Sequence, residues 1–146
     1  MWNGAYFYLK TANTAAASTL NFSYGQAGDR PLAGDWNGDG TDTIGVQRGS
    51  TFILHNVNGY GGTDVSFSYG LVNDVPIAGD WNGDGLDTVG LFRNGTFYLR
   101  NSNTTGVADV TINYGAFSDL PLAGDLDGDG DDAVGYFRSG TFVLRR

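Results

Sequence analysis

Gly-Asp-x-Asx-Gly-Asp-Gly occurs three times at a constant spacing of 45 residues, as residues 34–40, 79–85 and 124–130. Short oxygen-bearing side chains at every second position, with Gly letting the backbone turn sharply, form an oxygen-rich loop suited to a hard cation such as calcium. The alternative is a set of ion-free Asp and Gly turns, in which the carboxylates bond only local backbone N–H groups. Crowded carboxylates repel one another unless compensated, which favours the cation. Eleven of the sixteen acids lie in these loops, and all sixteen are Asp. The formal charge of −8 is therefore mostly a property of three short segments, and bound divalent cations would neutralise much of it.

Other chemistry is poorly supplied. Cysteine is absent, which removes disulfides, thiolate catalysis and thiolate zinc sites. His55 is the only histidine, in a slot filled elsewhere by Lys10, Arg100 and Arg145, and it reads as a solvated strand residue. No nucleophile–histidine pair can be assembled, and the close Asp pairs all belong to the repeated loops, so no catalytic residues are expected. With eight Lys and Arg, a phosphate-tracking surface is not expected, and nucleic acid is excluded as a partner. No apolar run reaches the roughly 18 residues of a membrane span, so no membrane insertion is expected. Met1-Trp2-Asn3-Gly4 has neither the basic region nor the apolar run of a secretory signal.

The elements that must position the loops repeat with them. Tyr24-Gly25, Asp29, Pro31 and Arg48 recur at 45-residue intervals as Tyr69-Gly70, Asp74, Pro76, Arg93 and as Tyr114-Gly115, Asp119, Pro121, Arg138. Asn3 occupies the arginine slot one period earlier. Phe7, Phe52, Phe97 and Phe142 form a fourfold set, as do Leu9, Leu54, Leu99 and Leu144, and both sets read as core. A period this long means a repeat architecture with equivalently stacked units. The second unit reads as four strands: 76–79, 88–93, 96–100 after an Asn94-Gly95 turn, and 110–114. Abundant Gly and the absence of Glu oppose helices.

The expected fold is all-β: one domain, 1–146, with units at about 1–30 (partial), 31–75, 76–120 and 121–146 (partial). The strands number thirteen, the third strand of the unit being present four times. Two architectures suit three such units: a β-propeller-like array of three blades plus an extra strand, or a closed β-trefoil.

The loops resemble the calcium loops of the FG-GAP and VCBS repeats, the integrin-α-like β-propeller family, across essentially the whole chain. The resemblance implies up to three Ca2+ ions. Its side-chain ligands would be Asp35, Asn37 and Asp39; Asp80, Asn82 and Asp84; and Asp125, Asp127 and Asp129. Backbone carbonyls of Thr41, Leu86 and Asp131 would add oxygens. The family's closing Asp stands at loop position nine, whereas Asp42, Asp87 and Asp132 stand at position eight, closing a tighter shell or leaving water to complete it. An affinity on the order of 10⁻⁴ to 10⁻³ M, as in extracellular calcium modules, is expected.

The function expected on these grounds is a non-catalytic, calcium-stabilised structural, assembly or adhesion module, extracellular or at the cell surface. Its partners would be further copies of the chain or adjacent repeats of a longer one. A carbohydrate-binding module using pockets lined by Trp and Tyr is the alternative, with a glycan or other surface ligand, and a monomeric trefoil binding domain is the third. Trp36 and Trp81 read as packing between units, because Leu126 replaces them in the third copy. Arg48, Arg93 and Arg138 read as structural ion-pairing residues, and Asp29, Asp74 and Asp119 as turn residues.

Overall fold

The computed structural model describes residues 5–145. Asn3 and the Met1–Gly4 segment lie outside the described residues. The described residues are all-β, with thirteen strands in four small antiparallel sheets. The first sheet pairs β1 (Tyr6–Lys10) with β2 (Thr19–Ser23). The second runs in order β3 (Arg30–Gly34), β4 (Thr43–Arg48), β5 (Thr51–Leu54) and β6 (Val65–Ser68). The third repeats it as β7 (Val75–Gly79), β8 (Thr88–Arg93), β9 (Thr96–Leu99) and β10 (Val110–Asn113). The fourth has three strands, β11 (Leu120–Gly124), β12 (Ala133–Arg138) and β13 (Thr141–Leu144).

Register repeats with the sequence. Gly34 faces Thr43 across the first hairpin, as Gly79 faces Thr88 and Gly124 faces Ala133. Each Asp loop is therefore the connection between the first two strands of a sheet, as its place in the sequence predicts. The β8–β9 turn takes positive φ at both Asn94 (51°) and Gly95 (85°), the two-residue geometry that matches strand twist. Among the described residues strands pair only within their own repeat, and they close neither a barrel nor a propeller ring. That overturns the trefoil alternative, whose barrel requires strands of different repeats to pair.

Sheets pack face to face. β4 and β8 are buried along nearly their whole length, because both faces of these strands are covered. Phe22, Tyr24, Ile44 and Val46 fill the space between the first and second sheets. Trp36, Phe52, Leu54, Phe67, Tyr69, Val89 and Leu91 fill the next, and Ile77, Phe92, Phe97, Leu99 and Val134 the third. Strand β3 lies against β7, and β7 against β11, so the first strands of successive units are neighbours. Phe52 and Phe97 are fully buried, as expected, while Phe7 and Leu9 are half-buried. Phe142 and Leu144 depart from that expectation at 65% and 42% exposed, because no further sheet covers β13.

Asp29, Asp74 and Asp119 are more than turn residues. Each carboxylate accepts two N–H bonds from the Arg nineteen residues on, Arg48, Arg93 or Arg138, at 2.6–2.9 Å. Each also accepts the backbone N–H of Gln26, Leu71 or Ala116, which shapes the turn into the first strand. These bidentate pairs fasten the second strand of each unit to that unit's entry turn.

Candidate metal loops and the contacts between repeats

The first loop closes on Asp35. Its Oδ1 accepts the N–H of Gly38 (2.8 Å) and Asp39 (3.1 Å), and its Oδ2 accepts that of Gly40 (2.7 Å). Asp80 repeats the pattern with Asp84 and Gly85. Positive φ at Gly38 and Gly83 (73° and 69°) makes the sharp turn, at positions where a side chain is strained. The N–H groups of Thr41, Leu86 and Asp131 donate to Asp39, Asp84 and Asp129 at 2.9–3.0 Å, which fixes the third acid of each loop.

Asp127 gives the third loop a different set of donors and acceptors. In the first two, the Asn37 and Asn82 amides donate to Asp39 and Asp84 at 2.9 and 3.0 Å. The Asn37 amide, more than any other group, holds the Asp39 carboxyl below the ordinary value. Asp127 replaces that donor with another acceptor. Oxygens of Asp125, Asp127 and Asp129 lie within 4.8 Å of one another, all three residues being exposed. Ligands on opposite sides of a calcium ion are about 4.6–5.2 Å apart, so this donor set fits that ion, all-oxygen and uncompensated by any N–H between the three acids. A metal ion can therefore be held at Asp125, Asp127 and Asp129. In the first two loops, turning the amide would bring Asn37 or Asn82 oxygen toward the same place.

Position eight does something the loop pattern alone did not reveal. The Asp87 carboxylate accepts the backbone N–H of Asp35, in the preceding repeat, at 2.7 Å, and the Asp87 N–H donates to the Asp35 carbonyl at 2.9 Å. Asp132 makes the same pair with Asp80, at 2.9 and 2.7 Å. Each of the first two loops is thereby clamped to the one that follows it. Leu86 and Asp131, one residue earlier, pack over Gly38 and Gly83 of the preceding loop, where a Cβ would collide with them. Burial raises the pKa of Asp87 and Asp132, and neighbouring carboxylates, Asp42 among them, add to the rise against the opposing backbone donors. Asp42 has no preceding loop in this chain. Its side chain is exposed, and among the described residues only its carbonyl is used, accepting from the Asn58 amide.

Several other residues fall differently from their sequence reading. His55 is buried, not solvated: its Nδ1 lies 2.8 Å from Asp64, and its ring stacks on Tyr24. Arg100 pairs with Asp109 in the equivalent place, at 3.0 Å. The 45-residue spacing of Asp64 and Asp109 was the available signal for this second set of ion pairs. Trp36 is buried and its indole N–H donates to the Ile44 carbonyl, while Trp81 packs beside the third core, so both serve packing between units as expected. Two equivalent hollows open between sheets, one beside Tyr24, Val46, Arg48 and Ile53, the other beside Tyr69, Leu91, Arg93 and Tyr98.

Comparison with protein-family models, curated proteins and solved structures finds no match to this chain. The likeness to calcium-loop repeats therefore rests on the loop residues themselves.

Proposed function

We propose that this chain is a non-catalytic, calcium-stabilised repeat module of β-propeller-like architecture, serving assembly or adhesion at the cell surface or outside the cell. The observation that carries the reading is the coupling of the Asp loops to the stacking of the sheets. Each of the first two loops holds its three-oxygen turn on one side and receives the clamp of the next repeat on the other. An ion that rigidifies the turn therefore also rigidifies the contact between repeats. Face-to-face sheets with their first strands adjacent suit radial stacking of blades. Loops of weak affinity suit the millimolar calcium of extracellular space. The engagement of the sole histidine by Asp64 supports a structural role for it.

Thermal melting tests the proposal. At about 2 mM free calcium and a Kd of about 10⁻⁴ M, one site adds about 2 kcal/mol, or roughly 5 °C for a domain of this size. An unchanged melting temperature between calcium and chelator would return the loops to ion-free turns. The carbohydrate reading keeps one support, the pair of equivalent Tyr- and Arg-bordered hollows, since both tryptophans are used in packing. Glycan-array binding that disappears in Tyr98→Ala, with the melting temperature held, would establish it.

A further inference from the structure

The clamp between repeats leaves one half unused at each end of the array. Asp35 and Asp80 are half-buried because a following loop covers them, whereas Asp125 is exposed and its backbone N–H has no partner among the described residues. Asp87 and Asp132 are half-buried against a preceding loop, whereas the Asp42 carboxylate is exposed and accepts no hydrogen bond from the described residues. The donor left over in the third loop and the acceptor left over in the first are the two halves of one contact, and the chain makes that contact twice internally.

The sheets are complementary in the same sense. The β11–β12–β13 sheet has the first, second and third strands of a unit, and the β1–β2 sheet has the third and fourth. The third strand is present in both. β1 holds Phe7 and Leu9 half-buried against the first core, whereas β13 leaves Phe142 and Leu144 exposed. β13 is thus the strand more readily displaced.

We infer that two copies of this chain join head to tail into a closed ring, each junction being a composite sheet of β11 and β12 from one copy with β1 and β2 from the other. The inference rests on the propeller-like reading above and names its partner. At each junction the Asp42 carboxylate of one copy accepts the Asp125 N–H of the other, continuing the Asp87–Asp35 and Asp132–Asp80 contacts. β13 yields its place to β1 of the incoming copy. Without the redundant strand, each copy supplies twelve of its thirteen strands, three sheets of four. Two copies then make six blades, inside the range of about four to eight in which propellers close; three copies would make nine, outside it.

Light scattering coupled to gel filtration, in calcium, tests this on the intact chain. A mass of two copies is expected. A single-copy mass at every concentration, or an open series of larger species, would overturn the ring. Asp42→Ala removes no hydrogen bond among the described residues, so in chelator, where any share of Asp42 in the metal shell plays no part, its isolated subunit keeps the wild-type melting temperature, while the dimer dissociates about tenfold or more as readily, for a lost bond at each of two junctions. Phe142→Asp, on the displaced strand, leaves the two-copy mass unchanged; loss of the dimer in that variant would overturn the composite sheet. A single-copy mass with a calcium-dependent melting temperature defeats the ring alone, and a melting temperature indifferent to calcium defeats the calcium reading.

Discussion

Replacing Asp87 by alanine removes the carboxylate that accepts the Asp35 N–H at 2.7 Å but keeps the Asp87 N–H that donates to the Asp35 carbonyl. The Asp35 N–H is left without its acceptor in a part-buried contact between repeats. Such an orphaned donor costs about 1–3 kcal/mol. Against that stands the relief of a half-buried charge, which burial and the nearby Asp42, Asp132 and Asp35 all disfavour. The net loss expected at neutral pH is about 1–2 kcal/mol, or roughly 3–6 °C of melting temperature for a domain of this size. Asp87→Asn is the informative partner, because its amide oxygen keeps the acceptor and discards the charge. It is expected to melt at or above the wild-type temperature in chelator. Calorimetric melts of wild type and both variants, each with calcium and with chelator, provide the measurement. If the asparagine variant is as unstable as the alanine variant, the hydrogen-bond argument fails and the charge itself holds the repeats together. If it instead loses the calcium-induced rise specifically, Asp87 is a metal ligand as the loop pattern proposed, and the clamp is secondary.

Three further outcomes follow from the same geometry. Arg93→Ala strands the Asp74 carboxylate, 2% exposed, with only the Leu71 N–H; since Arg93 itself is 32% exposed, a loss of about 2–3 kcal/mol in denaturant unfolding is expected, with Arg93→Lys recovering part of it. The two Arg138 N–H bonds, opposed by burial and aided by Ala116 and the Arg charge, hold the Asp119 carboxyl below its ordinary 3.8. Its contribution is therefore present above that value and lost as pH falls through the depressed one, so Asp119→Asn should show a shallower fall in melting temperature on acidification below about pH 4. Asp127→Asn restores in the third loop the amide that the first two carry; calcium titration calorimetry should show weaker binding there and an unchanged affinity elsewhere.

The periodic information in this sequence specified the strands closely because each local signal agreed with the 45-residue register. The Asn94-Gly95 turn, the alternation of β5 and β9 and the fourfold Phe and Leu slots all point to the same hairpins, and the sheets follow them. What the register could not display is contact between unlike positions of neighbouring repeats. Asp87 and Asp35 are separated by a full period plus seven residues, so aligning repeats places them in different columns and hides their pairing. The same holds for exposure. Phe142 and Phe97 are identical in the register, yet one is 65% exposed and the other buried, because burial belongs to a residue's neighbouring sheet and not to its own repeat. His55 departs from its sequence expectation for a related reason: its slot is occupied elsewhere by Lys and Arg, which suggests solvent, but the partner Asp64 and the covering ring of Tyr24 come from other columns. In a repeat protein, then, the column predicts the fold of a unit, and the offset between columns determines how units hold one another. The position-eight acids stand on that offset. They repeat like loop residues and act as connectors, which is why Asp42, the one such acid that connects to no loop among the described residues, is where assembly should be sought.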